Sequence, residues 1–149
     1  MLVPAKLLLS GVFPVMLLMG VAVAEGLNAP SYQAQGSDVS GRNFDGTNLS
    51  LANFSGSNAT GSSFRNVQMD YANLSLANFS RADLTNATFK LALIEFTDFS
   101  EVKGLTAAQL SEACLTRPDK EEKLGVEGFD AASYRMPEGC QLWEHIARG

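Results

Sequence analysis

From Ser37 to Glu101 an apolar residue returns at every fifth position without a slip: Val39, Phe44, Leu49, Phe54, Ala59, Phe64, Met69, Leu74, Phe79, Leu84, Phe89, Ile94 and Phe99. Two places before each stands a residue that is nearly always small, as at Ala52, Ser57, Ala72, Ala77, Ala82, Ala87 and Ala92, with Arg42 and Val67 as exceptions. The position between the two is mostly Asn or Asp, whose short side chains bond neighbouring backbone amides in turns. A period of five fits neither the 3.6 residues of a helical turn nor the two-residue alternation of a strand. The run is therefore a repeat architecture.

Outside the run the pattern changes. Residues 25–36 are polar, hold Pro30 and a lone Tyr32, show no period and read as a lead-in. Past Glu101, Thr106 and Gln109 form a capping box, with Leu105 and Leu110 placed as a hydrophobic staple. The spacing predicts a helix to about Leu115, stopped by Pro118, with Ala107, Leu110, Ala113 and Cys114 on its apolar face. Arg117 to Lys123 is a charged loop. Asp130 is placed to cap a brief second helix over Ala131 to Tyr134, and a third is expected over Leu142 to Ile146.

The repeat resembles the pentapeptide-repeat family, whose A(N/D)LXX pattern is met by Ala52-Asn53-Phe54, Ala72-Asn73-Leu74, Ala77-Asn78-Phe79 and Ala82-Asp83-Leu84. The resemblance implies an all-β solenoid, a right-handed quadrilateral β-helix with four pentapeptides and hence twenty residues per coil. Thirteen repeats then make about three coils, about 16 Å tall at the usual strand spacing of about 4.8 Å, followed by a short α-helical C-terminal cap. Arg42 falls on an inward position of the first coil, from which its head can snorkel out of the open end. The expected organisation is a signal peptide over 1–24, a lead-in over 25–36, the β-helix over 37–101 and a helical cap over 102–149.

The signal peptide rests on Lys6, the apolar run Leu7 to Val21 and the small-x-small site Ala22-Val23-Ala24. Gly11, Pro14 and Gly20 interrupt that run, and it is shorter than the roughly 20 residues a membrane span prefers. Its removal leaves 10 basic against 16 acidic residues, a net charge of −6. The repeats carry seven acids against four bases, so no basic track is present for a phosphate backbone and nucleic-acid binding is not expected. Cys114 and Cys140 are the only cysteines. In an oxidising compartment such a pair reads as a disulfide sooner than as a metal or catalytic site. His145 is the only histidine, and nothing orients it toward Cys140 for nucleophilic chemistry. Neither a cofactor-binding motif nor a metal-ligand cluster stands out.

With twenty residues per coil, the positions two after each register residue point outward and stack. Leu51, Tyr71 and Leu91 line one side, and Leu76 and Phe96 the next, giving two adjacent apolar stripes that suit a protein contact. The expected function is accordingly an exported, non-enzymatic interaction or scaffold module, periplasmic or secreted, with a thylakoid lumen as the alternative compartment. It would bind an unknown protein partner or itself and touch no membrane once the signal is cleaved. The alternative function, drawn from the family, is a DNA mimic that inhibits or protects a type II topoisomerase. Against that, a duplex of this height carries roughly nine charges at about one per 1.7 Å, while the repeats carry −3.

Overall fold

The computed structural model describes residues 32–116, 124–130, 132–141 and 143. The signal-like segment, the start of the lead-in, the charged loop, His145 and the body of the third expected helix lie outside the described residues.

Each repeat is a short extended segment followed by a β-turn. The amide of the small residue donates to the carbonyl of the register residue three places earlier, as in Ala52 N to Leu49 O at 3.0 Å and Ala77 N to Leu74 O at 3.0 Å. The extended segments pair in parallel with residues twenty places on: Asp38 with Asn58, Asn58 with Asn78, and Asn78 with Asp98, and likewise on the other three sides. The backbone bonds of this ladder alternate in direction. Val39 N donates to Asn58 O at 2.8 Å, while Asn58 N donates to Ser37 O at 2.9 Å.

The ladder reaches beyond the expected span at both ends. Gln33 bridges Asn53, and Ala34, five before Val39, is buried, so the register begins within the stretch read as a lead-in. At the other end Lys103 still bridges Asp83. The missed first repeat has Tyr32 where a small residue was expected. Its ring covers the end of the core, with ring centroids 5.9 Å from Phe44 and 5.4 Å from Phe54.

The register residues and their small partners form one core, in which Phe54, Phe64, Phe79, Phe89 and Phe99 are fully buried. Stacking at twenty residues brings Phe44 and Phe64 face to face, with centroids 4.7 Å apart and planes 10° from parallel. Arg42 is half-buried on its inward position, and its turn is still closed, Arg42 N to Val39 O at 3.4 Å. Where the small inward residue carries a hydroxyl, a backbone carbonyl usually receives it: Thr47 Oγ1 donates to Phe44 O, Ser62 Oγ to Val39 O and Thr97 Oγ1 to Leu74 O. Ser57 Oγ is buried without such a partner among the described residues.

The Asn and Asp residues between the two inward positions act as the turn chemistry requires. Asn43, Asn48, Asn53, Asn73 and Asn78 each accept the amide two residues on, at 2.8 to 3.1 Å. Where that residue is not Asn or Asp, an aspartate from the rung before can substitute. Asp45 accepts Arg65 N at 2.8 Å in the repeat that has Ser63, and Asp70 accepts Lys90 N at 3.0 Å in the repeat that has Thr88. The Thr85 hydroxyl, assisted by its amide, holds the Asp83 carboxyl below the ordinary carboxylate value, and the amide and hydroxyl of Ser40 do the same for Asp38.

After Lys103 the chain forms α1, Ala107–Leu110, with the full capping box of Thr106 and Gln109. The helix is shorter than predicted, because Cys114 leaves it to bridge Leu93. This pairing spans 21 residues where the repeats span twenty. Gln109 absorbs the mismatch: its Oε1 accepts Thr106 N at 2.9 Å while its Nε2 donates to Ala87 O at 2.7 Å, taking the place of a ladder amide. The second expected helix is, over its described residues, a single turn in which Asp130 Oδ1 accepts Ala132 N at 3.0 Å.

Two substitutions separate core volume from polar satisfaction. Phe64→Ala should lower the free energy of unfolding by about 3 to 5 kcal/mol, the usual range for removing a buried phenyl ring. Ser57→Ala should raise it by about 1 kcal/mol, because it removes a buried hydroxyl with no partner. Urea titrations followed by circular dichroism measure both.

Candidate interaction surface

The turn that closes each repeat demands one left-handed residue, two places after the register position. That corner residue has φ between +55° and +69° in every repeat from Gly36 to Glu101. At Gly41 and Gly61 a side chain would meet nothing within 4 Å, so only the backbone conformation calls for glycine there. Bulky L-residues adopt this conformation at a cost of roughly 1 to 2 kcal/mol each. Leu51, Tyr71, Leu76, Leu91 and Phe96 adopt it nonetheless.

The four columns of corners differ in chemistry. One runs Gly41, Gly61, Arg81 and Glu101, and its last two residues form an exposed ion pair at 3.9 Å. Another runs Gly46, Asn66 and Asn86, and Asn86 Nδ2 donates to Asn66 Oδ1 at 3.1 Å. The side chains of these columns are polar or charged where they are not glycine. The other two hold Leu51, Tyr71 and Leu91, and Gly36, Gly56, Leu76 and Phe96. Of these side chains Leu51 is 59% exposed, Tyr71 41%, Leu76 66% and Phe96 46%.

Leu91 is the exception, because the C-terminal segment lies on it. It packs with Leu93, Cys114, Cys140 and Trp143, and a Cβ on Gly139 would come within 3.0 Å of its Cδ1. The indole Nε1 of Trp143 donates to Leu91 O at 2.8 Å. The five residues singled out from the sequence are thus four exposed corners and one roofed by the chain's own tail. Met136, also exposed, belongs to that tail, and no periodicity pointed to it.

The tail is held by several independent contacts. Cys114 and Cys140 are joined, with Cα atoms 5.5 Å apart. The Tyr134 hydroxyl donates to Ala113 O at 2.5 Å and accepts Leu115 N at 3.1 Å, and burial pushes its pKa above the ordinary phenol value. Phe99 N donates to Leu124 O at 3.1 Å, and Gly125 lies so close to the Ser100 backbone that a Cβ would approach it to 2.9 Å. Glu95, buried beside this segment, accepts the Thr116 hydroxyl.

Among the described residues no group of His, Cys, Asp or Glu could hold a metal ion, and no helix is long and apolar enough to cross a membrane.

This geometry, with parallel pairing at twenty residues and a left-handed corner every five, accompanies a family match. Residues 44–88 match the family model of pentapeptide repeats in nine copies. Proteins of this family form right-handed β-helices. Among solved structures, the chain is similar to a pentapeptide repeat protein from the cyanobacterium Cyanothece 51142, at 24% identity and a TM-score of 0.41, over 48% of this chain and 52% of that one. It is also similar to a pentapeptide repeat protein of the Arabidopsis thaliana thylakoid lumen, at 21% identity and a TM-score of 0.42, over 74% of this chain and 88% of that one. A third similarity is to a plasmid-mediated fluoroquinolone resistance protein, at 17% identity and a TM-score of 0.22, over 49% of this chain and 53% of that one. The chain spans about half the length of the first and third of these. No curated protein matches it.

Replacing Leu51 and Leu76 together by Asn makes the corners polar and better suited to the left-handed region. The isolated protein should then gain about 1 kcal/mol or more of stability in urea titration, although two exposed apolar side chains have gone.

Proposed function

We propose that the protein is an exported, non-enzymatic pentapeptide-repeat module of about three coils with a helical C-terminal cap, and that it works by binding another protein or itself. Its contact surface is the pair of adjacent apolar columns, Leu51, Tyr71 and Leu91 with Leu76 and Phe96. One observation carries this reading: bulky apolar residues occupy exposed left-handed corners on two adjacent sides, where the other two sides carry only glycine, asparagine or charged residues. Strained residues of this kind persist where the position has a use beyond folding, and a continuous exposed apolar area is the usual mark of a contact surface.

Export is supported by the signal-like residues 1–24 and by the disulfide, which suits an oxidising compartment. The periplasm or the cell exterior is the compartment proposed, with a thylakoid lumen as the alternative. The described acids and tyrosines with shifted titration, Asp38, Asp83, Tyr32 and Tyr134, serve turns and packing, which accords with a binding rather than a catalytic role.

Tyr71→Ser combined with Phe96→Ser should leave the fold intact and remove the contact. Sedimentation of the pure protein reports self-association, and proximity labelling in its own cell reports neighbours. If neither changes in the double variant, these columns are not an interface.

A further inference from the structure

The C-terminal tail already seats an aromatic donor on one rung of the apolar surface, and that contact indicates what the remaining rungs accept. Along this column the corner residue donates its N–H to the next rung: Leu51 N to Asp70 O at 2.9 Å, Tyr71 N to Lys90 O at 2.8 Å, and Leu91 N to Glu112 O at 2.7 Å. The corner carbonyl takes no part in the ladder. Among the described residues no donor reaches the carbonyls of Leu51, Tyr71 or Leu76. At Leu91 the equivalent carbonyl receives the indole N–H of Trp143 at 2.8 Å, and the ring packs on the cluster formed by Leu91, Leu93 and the disulfide.

An indole meets both needs of such a corner. Its apolar body covers the exposed side chain, and its single N–H satisfies the carbonyl beside it. Phenylalanine supplies the body without the donor. Lysine and arginine supply donors but bring a charge that is costly to desolvate against an apolar surface.

We propose that the exposed corners Leu51 and Tyr71, with Leu76 beside them, dock a segment of a partner protein through a tryptophan, in the way Trp143 docks at Leu91. This rests on the reading of the columns as an interaction surface and specifies the chemistry of the partner. The column offers the same pairing at successive rungs about 4.8 Å apart. Tyr71 lies one rung and Leu51 two rungs from the corner that the tail occupies.

The test uses the full chain with its disulfide intact, isotope-labelled for amide NMR. The probes are three acetylated, amidated peptides: Gly-Ala-Gln-Leu-Trp, the same peptide with 1-methyltryptophan, and the same peptide with phenylalanine. The tryptophan peptide should bind saturably and shift the amides at 51–53 and 71–73. Its two twins should bind about five- to tenfold more weakly, the effect of losing one hydrogen bond. In the Trp143→Phe variant the tryptophan peptide should also shift the amide of Leu91. Equal binding by the methylated twin, or no saturable shift at these corners with any peptide, overturns the proposal. If either result stands beside a Tyr71→Ser, Phe96→Ser variant that has lost its native contact, the interaction surface survives and only its tryptophan specificity falls.

Discussion

Every side of the molecule ends in a turn closed by one hydrogen bond, from the amide of a small residue to the carbonyl of the apolar residue three places before it. That bond requires a left-handed residue in its third position. The chain thereby changes direction every five residues and returns above itself every twenty, which lets parallel segments pair without long connections. Both inward residues of a repeat are placed by this turn, so the core follows from it. Small side chains are needed beside the turn because a register residue such as Phe54 or Phe79 already fills the space toward the axis.

The ladder leaves few backbone groups to chance, and side chains complete what it omits. Asparagine and aspartate accept the amide two residues on in most repeats, and Asp45 and Asp70 perform the same task for the rung above when the local residue cannot. Gln109 is the clearest case. Its amide group closes the helix cap on one side and supplies a ladder donor on the other, so a helical turn joins the end of the repeats without leaving Ala87 O unpaired.

The outside of the molecule is governed by a different trade. The corner backbone favours glycine, and where the chain uses leucine, tyrosine or phenylalanine instead, stability is given up at sites that face solvent. Two columns carry such residues and two do not. The tail crosses one of the apolar columns at Leu91, anchored by the disulfide and by the Trp143 indole, and it leaves Tyr71 and Leu51 on the same column uncovered.

The sequence by itself determined the inward register, the role of the asparagines and the capping box of α1, because each depends on residues within five positions of one another. It placed the five apolar corners on adjacent sides for the same reason, once the twenty-residue return was assumed. The start of the ladder at Gln33 was not legible, since Tyr32 stands where a small residue marks most repeats and covers the core end instead. The early end of α1 was hidden too, because the helical spacing through Ala113 and Cys114 is sound and only pairing with Leu93 draws Cys114 away. Tertiary structure alone decided that Leu91 is roofed while Leu51, Tyr71, Leu76 and Phe96 remain exposed. The indole that covers Leu91 lies 52 residues further along the chain, and no local pattern carries a contact over that distance.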